Sequence, residues 1–95
     1  MADPTEATEA TRRLRDELAA LGITWAGLSF EAAGMAALSV TYNLVVWCAN
    51  NVFFWRAGHD FADFDVHPAT DPTGAARRIK ERRDELRQRH DLYQG

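Results

Sequence analysis

The chain holds one cysteine, Cys48, and a single lysine, Lys80, among 95 residues. A lone thiol excludes an internal disulfide, so the fold must rest on an apolar core, and a reducing compartment is expected. Three prolines and six glycines are too few for a collagen-like or low-complexity segment. No apolar run approaches the ~20 residues of a membrane-spanning helix. The uninterrupted stretch from Leu44 to Ala49 is short, and Ser39, Thr41, Asn43, Asn50 and Asn51 break up its surroundings. No membrane association is therefore expected. The opening residues, Met-Ala-Asp-Pro-Thr-Glu, lack the basic and apolar regions of a secretory signal, from which a cytoplasmic location is expected.

Signals for chemistry are equally sparse. There is no glycine-rich phosphate loop. The two serines, Ser29 and Ser39, stand in no nucleophile-elbow context. Cys48 lies between Trp47 and Ala49 in an apolar segment, where a thiol is inert. His59 and Asp60 are adjacent, an awkward spacing for a base and its orienting acid. Neither a catalytic activity nor a cofactor is expected.

What is present describes an ordinary globular domain spanning 1–95, with 46% apolar and 26% charged residues. The net charge is -3, which disfavours a protein that lives by neutralising phosphates. Ten arginines and sixteen alanines point to a GC-rich, bacterial-type coding genome. Charge is uneven: residues 22–75 carry Arg56 as their one base, whereas 76–95 carry seven bases and four acids.

Asp3-Pro4-Thr5-Glu6 opens a helix, with an acidic N-cap, proline at the first helical position and a glutamate at the third. Ala7, Ala10, Leu14, Leu18 and Leu21 form its apolar stripe, and Gly22 ends it. Ile23, Trp25, Leu28 and Phe30 suggest an extended segment ending near Ala33-Gly34, with a short helix over 30–38 as the alternative. From Leu38 to Cys48 apolar and polar positions alternate, the signature of a strand. Asn50-Asn51 then makes a two-residue hairpin turn, because asparagine tolerates positive φ. Val52–Ala57 is the return strand, and Phe64 and Val66 mark a third, edge strand. Asp71-Pro72-Thr73 repeats the cap of the first helix and opens a second, running to about Asp91, with Ala76, Ile79, Leu86 and Tyr93 on its stripe. Arg83 and His90 interrupt that stripe. The expectation is an α+β fold: one antiparallel sheet of two to three strands, with the helices on one face, in the order α-β-β-β-α.

This order resembles the double-stranded-RNA-binding domain. That family's Gly-Pro-x-His loop and the lysine cluster opening its last helix have no counterpart here, where the helix opens Asp71-Pro72-Thr73-Gly74. The resemblance is one of element order alone; it is the run of bases in the last helix, with Arg77, Arg78 and Arg82 among them, that suggests phosphate binding and makes nucleic-acid contact the alternative reading of function. Interleaved acids, with Lys80–Asp84 and Glu85–Arg89 one turn apart, instead suit a salt-bridged solvent face.

The hairpin register carries the leading reading. Turning at Asn50-Asn51 places Ala49 opposite Val52, Trp47 opposite Phe54 and Val45 opposite Arg56. Leu38, Val40, Tyr42, Leu44, Val46, Cys48, Phe53 and Trp55 then share the core face. Val45, Trp47, Val52 and Phe54 fall on the other, rimmed by Arg56. Unless Ile23–Phe30 folds back over it, that cluster is a surface for a protein partner or a homodimer, since monomers rarely expose large apolar patches. The expected function is a regulatory or adaptor interaction module. His59, Asp63, Asp65 and His67 also invite a divalent-metal reading, but their spacing matches no metal motif and an edge strand defended by charge accounts for them.

Overall fold

Residues 4–32, 34–41, 44–57 and 63–94 are described by the computed structural model, with side chains from Glu6 to Gln88. Asp3, Ala33, Tyr42 and His59 lie outside the described residues, as do the side chains of Arg89, His90 and Tyr93.

Helix α1 (Pro4–Ala20) buries Ala7, Leu14 and Leu18. Thr8 and Thr11 lie beside them, buried and satisfied: Thr11 Oγ1 donates to the Ala7 carbonyl at 2.7 Å and Thr8 Oγ1 to Glu31 at 2.9 Å. The helix stops at Gly22, whose φ of 92° is open to glycine at no steric cost. Gly22 N–H bonds to the Ala19 carbonyl at 3.0 Å and Ile23 N–H to the Leu18 carbonyl at 2.9 Å, the paired bonds of a Schellman cap. The cap swings Ile23 into the core beside Leu18, both fully buried. Leu21, expected on the stripe, sits past the last helical turn and is exposed.

Among the described residues five strands follow, not two or three: β1 (Gly27–Ala32), β2 (Met35–Thr41), β3 (Leu44–Ala49), β4 (Val52–Arg56) and β5 (Phe64–Pro68). They form one antiparallel meander in sequence order. The extended reading of the 23–35 region holds as β1, which lies beside β2 and not over the sheet. The long alternation from Leu38 to Cys48 is two strands, not one. Leu38 pairs with Val46, so a tight reversal keeps the alternating residues on the same face, and alternation alone cannot reveal it. Asn50 and Asn51 have φ of 52° and 64°, as a type I′ turn requires. The order is therefore α-β-β-β-β-β-α, which departs from that of the double-stranded-RNA-binding domain by two strands.

Helix α2 (Pro72–Gln94) begins at the expected cap, where the Gly74 amide donates to Asp71 Oδ1 at 3.1 Å. Ala75, Ala76 and Ile79 are fully buried. Both helices pack on one face of the sheet and on each other. Between helices and sheet lie Leu38, Val40, Leu44, Val46, Cys48, Phe53 and Trp55, none more than 2% exposed. Burial pushes the Cys48 thiol up to about 11, against a smaller opposing effect of the Thr11 hydroxyl. No helix among the described residues is long and apolar enough to cross a membrane.

Candidate functional site: the open sheet face

Strands alternate their side chains between two faces, and the helices occupy only one. The pairing places Trp47 opposite Phe54 and Ala49 opposite Val52, as the turn dictates. Val45 and Arg56 share this open face beyond that ladder. Val45, Trp47, Val52 and Phe54 are partly buried, in contrast to the sealed Val46, Cys48, Phe53 and Trp55 between them.

The open face is wider than the hairpin alone suggests. One row of paired residues crosses all five strands: Phe30, Ala37, Trp47, Phe54 and Val66. A second row beside it reads Ala32, Met35, Ala49, Val52 and Pro68. Neither row contains a polar side chain. Phe30, Phe64 and Val66 are 45%, 49% and 58% exposed, although each is strongly apolar. The rings support one another: Phe30 and Trp47 lie 5.7 Å apart, and Phe54 and Phe64 meet edge to face at 6.1 Å. Phe30 and Trp47 close over Ala37, which is 1% exposed yet belongs to no part of the helix-side core. Among the described residues of these strands, the charge on this face is Arg56, at the margin, paired in register with Phe64.

Sequence reasoning identified the β3–β4 centre of this face and missed Phe30, Phe64 and Val66. The alternation of Leu28 with Phe30 was a usable signal. A register shift between Leu28 and Phe30, which adds one residue to β1, hid which of the two faces outward.

The basic helix is arranged differently. Arg78 donates to the Val66 carbonyl at 2.7 Å, lies 3.5 Å from Asp65 and covers the Trp55 ring at 5.2 Å. It also stands 3.3 Å from His67 Nδ1. A guanidinium only donates, so Nδ1 accepts and the Nε2–H of His67 donates to Asp71 at 2.9 Å. That bond, with the Gly74 amide, holds the Asp71 carboxyl below its usual range. Arg82 pairs with Glu85 at 3.2 Å and Lys80 with Asp84 at 3.0 Å. Arg83 is buried on the helix stripe because it folds back to Asp84 at 3.0 Å and lies 5.7 Å from the exposed Trp25 ring. Of the three arginines named for nucleic acid, Arg77 and Arg78 are exposed and Arg82 is half-buried, with Arg78 and Arg82 also engaged within the chain.

Asp65 and His67 do point the same way from β5, toward α2, where they meet Arg78 and Asp71. No three metal-ligating groups converge among the described residues. No protein-family model, curated protein or solved structure matches this chain.

Proposed function

We propose that the protein is a small cytoplasmic interaction module, regulatory or adaptor in character, whose open aromatic sheet face binds a protein partner or a second copy of the chain. The observation that carries this reading is the uncovered pair of apolar rows opposite the helices, centred on Trp47 and Phe54. Interface cores are enriched in aromatic residues and depleted of charge, and both features mark this face. Arg56 suits the rim, where a charge remains hydrated. The alternative, nucleic-acid binding through α2, has weaker support, because Arg78 is held by the Val66 carbonyl and Asp65, and Arg82 pairs with Glu85.

A photoreactive benzoylphenylalanine in place of Phe54 tests the proposal in the native cell, with the same group at the exposed helix position Arg13 as control. The expected result is a discrete adduct with a protein chain from position 54 alone, abolished by Trp47→Asp in a chain that keeps its native circular dichroism. Absence of any adduct from position 54, or equal labelling from both positions, refutes the reading.

A further inference from the structure

The partner can be specified further by asking what shape the open face presents. Resting on the docking reading above, we propose that the chain's partner is a second copy of itself, bound face to face about a two-fold axis that runs across the strands between the two apolar rows.

The argument is one of relief. The row through Phe30, Trp47 and Phe54 is a ridge of rings. The row beside it sets a smaller side chain at each of those three strands, Ala32, Ala49 and Val52, while at β2 the sizes are exchanged, with Met35 beside Ala37, so that a larger side chain still stands next to a smaller one. Packed sheets keep their strands nearly aligned and interdigitate their side chains. A two-fold axis lying in the interface between the rows sets each copy's ridge over the other's second row. Trp47 then meets Ala49 of the second copy, Phe54 meets Val52, and Phe30 meets Ala32. A partner with an unrelated surface has no such reason to fit, whereas a second copy fits by symmetry, the usual form of a homodimer interface.

Charge agrees with this placement. Neither row carries a charged side chain, so the contact buries none. Arg56 lies in the row beyond the ridge, away from the axis, and the two-fold operation sends its mate to the opposite end of the contact. Like charges do not meet. Area sets the strength. Five strands and the two facing rows span roughly 24 Å by 14 Å, about 340 Å² in projection. Specific interfaces bury about 800 Å² per partner and weak ones under about 600 Å². This area belongs to the weak class, so the dimer should be populated only as concentration rises.

Sedimentation velocity on the full chain across a concentration series reads the result. The expected weight-average mass climbs from 10.7 kDa toward twice that value. Trp47→Ala removes the ridge and Ala49→Trp fills the second row, so each alone should weaken association at least tenfold. Together they exchange ridge and trough within one chain, and affinity should return to within a few-fold of the parent. A second measurement needs no variant. In a mixed sample of isotope-labelled and unlabelled chain, filtered cross-peaks should connect the Trp47 indole to the Ala49 methyl of the other copy. A constant monomer mass at every concentration overturns the proposal, as does a dimer without those cross-peaks. If the mass stays monomeric while position 54 still cross-links to a different protein, the second copy is refuted and the docking reading stands. If both fail, both fall.

Discussion

Phe53 and Phe54 are neighbours in the chain and chemically identical, yet they point to opposite faces of β4. Phe53 is fully buried between sheet and helices, and Phe54 is partly buried on the open face against Phe64. Truncating a sealed core phenylalanine costs about 3–5 kcal/mol, the lost transfer energy plus the cavity left behind. Truncating Phe54 leaves no enclosed cavity. It forfeits part of the ring's burial and one edge-to-face contact, together about 1–2 kcal/mol. Phe53→Ala should therefore exceed Phe54→Ala by about 2 kcal/mol or more. At ~4–8 °C per kcal/mol for a chain of this size, the melting temperatures should differ by roughly 8–16 °C. Urea denaturation is the assay, run at a dilution where any dimer is dissociated, so that association adds nothing to apparent stability. Equal m-values would confirm that both variants unfold the same structure. Equal losses from the two substitutions would refute the reasoning, because Phe54 would then have to be enclosed within a single chain.

Two further expectations concern titrating groups. Cys48, pushed up to about 11 by burial, should resist a thiol-specific disulfide reagent at pH 8 in the native protein and react stoichiometrically in denaturant; rapid native labelling would show that the thiol is accessible. The Asp71 carboxyl is held below 3.8 chiefly by the bond from His67, then by the Gly74 amide. A depressed folded-state pKa stabilises the protein above the unfolded value and withdraws that stabilisation as pH falls through the folded one. Below about pH 4 the wild type should thus lose stability more steeply than Asp71→Asn. Asp84, lowered by Lys80 and Arg83, supplies a slope of the same sign in both proteins, and identical acid slopes would remove Asp71 from the account.

The features legible in the sequence were those with local causes. The start of α2 and the Gly22 stop follow from capping chemistry, and the Asn50-Asn51 turn from the tolerance of asparagine for positive φ. The division of Val45, Trp47, Val52 and Phe54 from Val46, Cys48, Phe53 and Trp55 then follows from parity. Strand number was not legible, because the reversal between β2 and β3 preserves the same parity as a continuous strand. Nor was the place of β1: Ile23 and Phe30 were candidates to cover the open face, but Ile23 entered the core and Phe30 joined the face instead. Arg83 on the stripe of α2 became intelligible only when its neighbours were known. Its guanidinium is met by Asp84 and lies over the Trp25 ring.

The sequential order of the meander also bears on how the chain reaches its fold. Every strand pairs with the strand next to it in sequence, so each hairpin can close over a short loop at small entropic cost. Low contact order of this kind favours rapid folding. The distant event is the docking of α2 on α1, which joins the two ends of the sequence. During synthesis from the N-terminus, all five strands emerge before α2 does. Until Ile79 and its neighbours arrive, both faces of the nascent sheet expose apolar surface. That interval is when the chain is most open to misassociation, and a chain truncated before Pro72 would remain in it permanently.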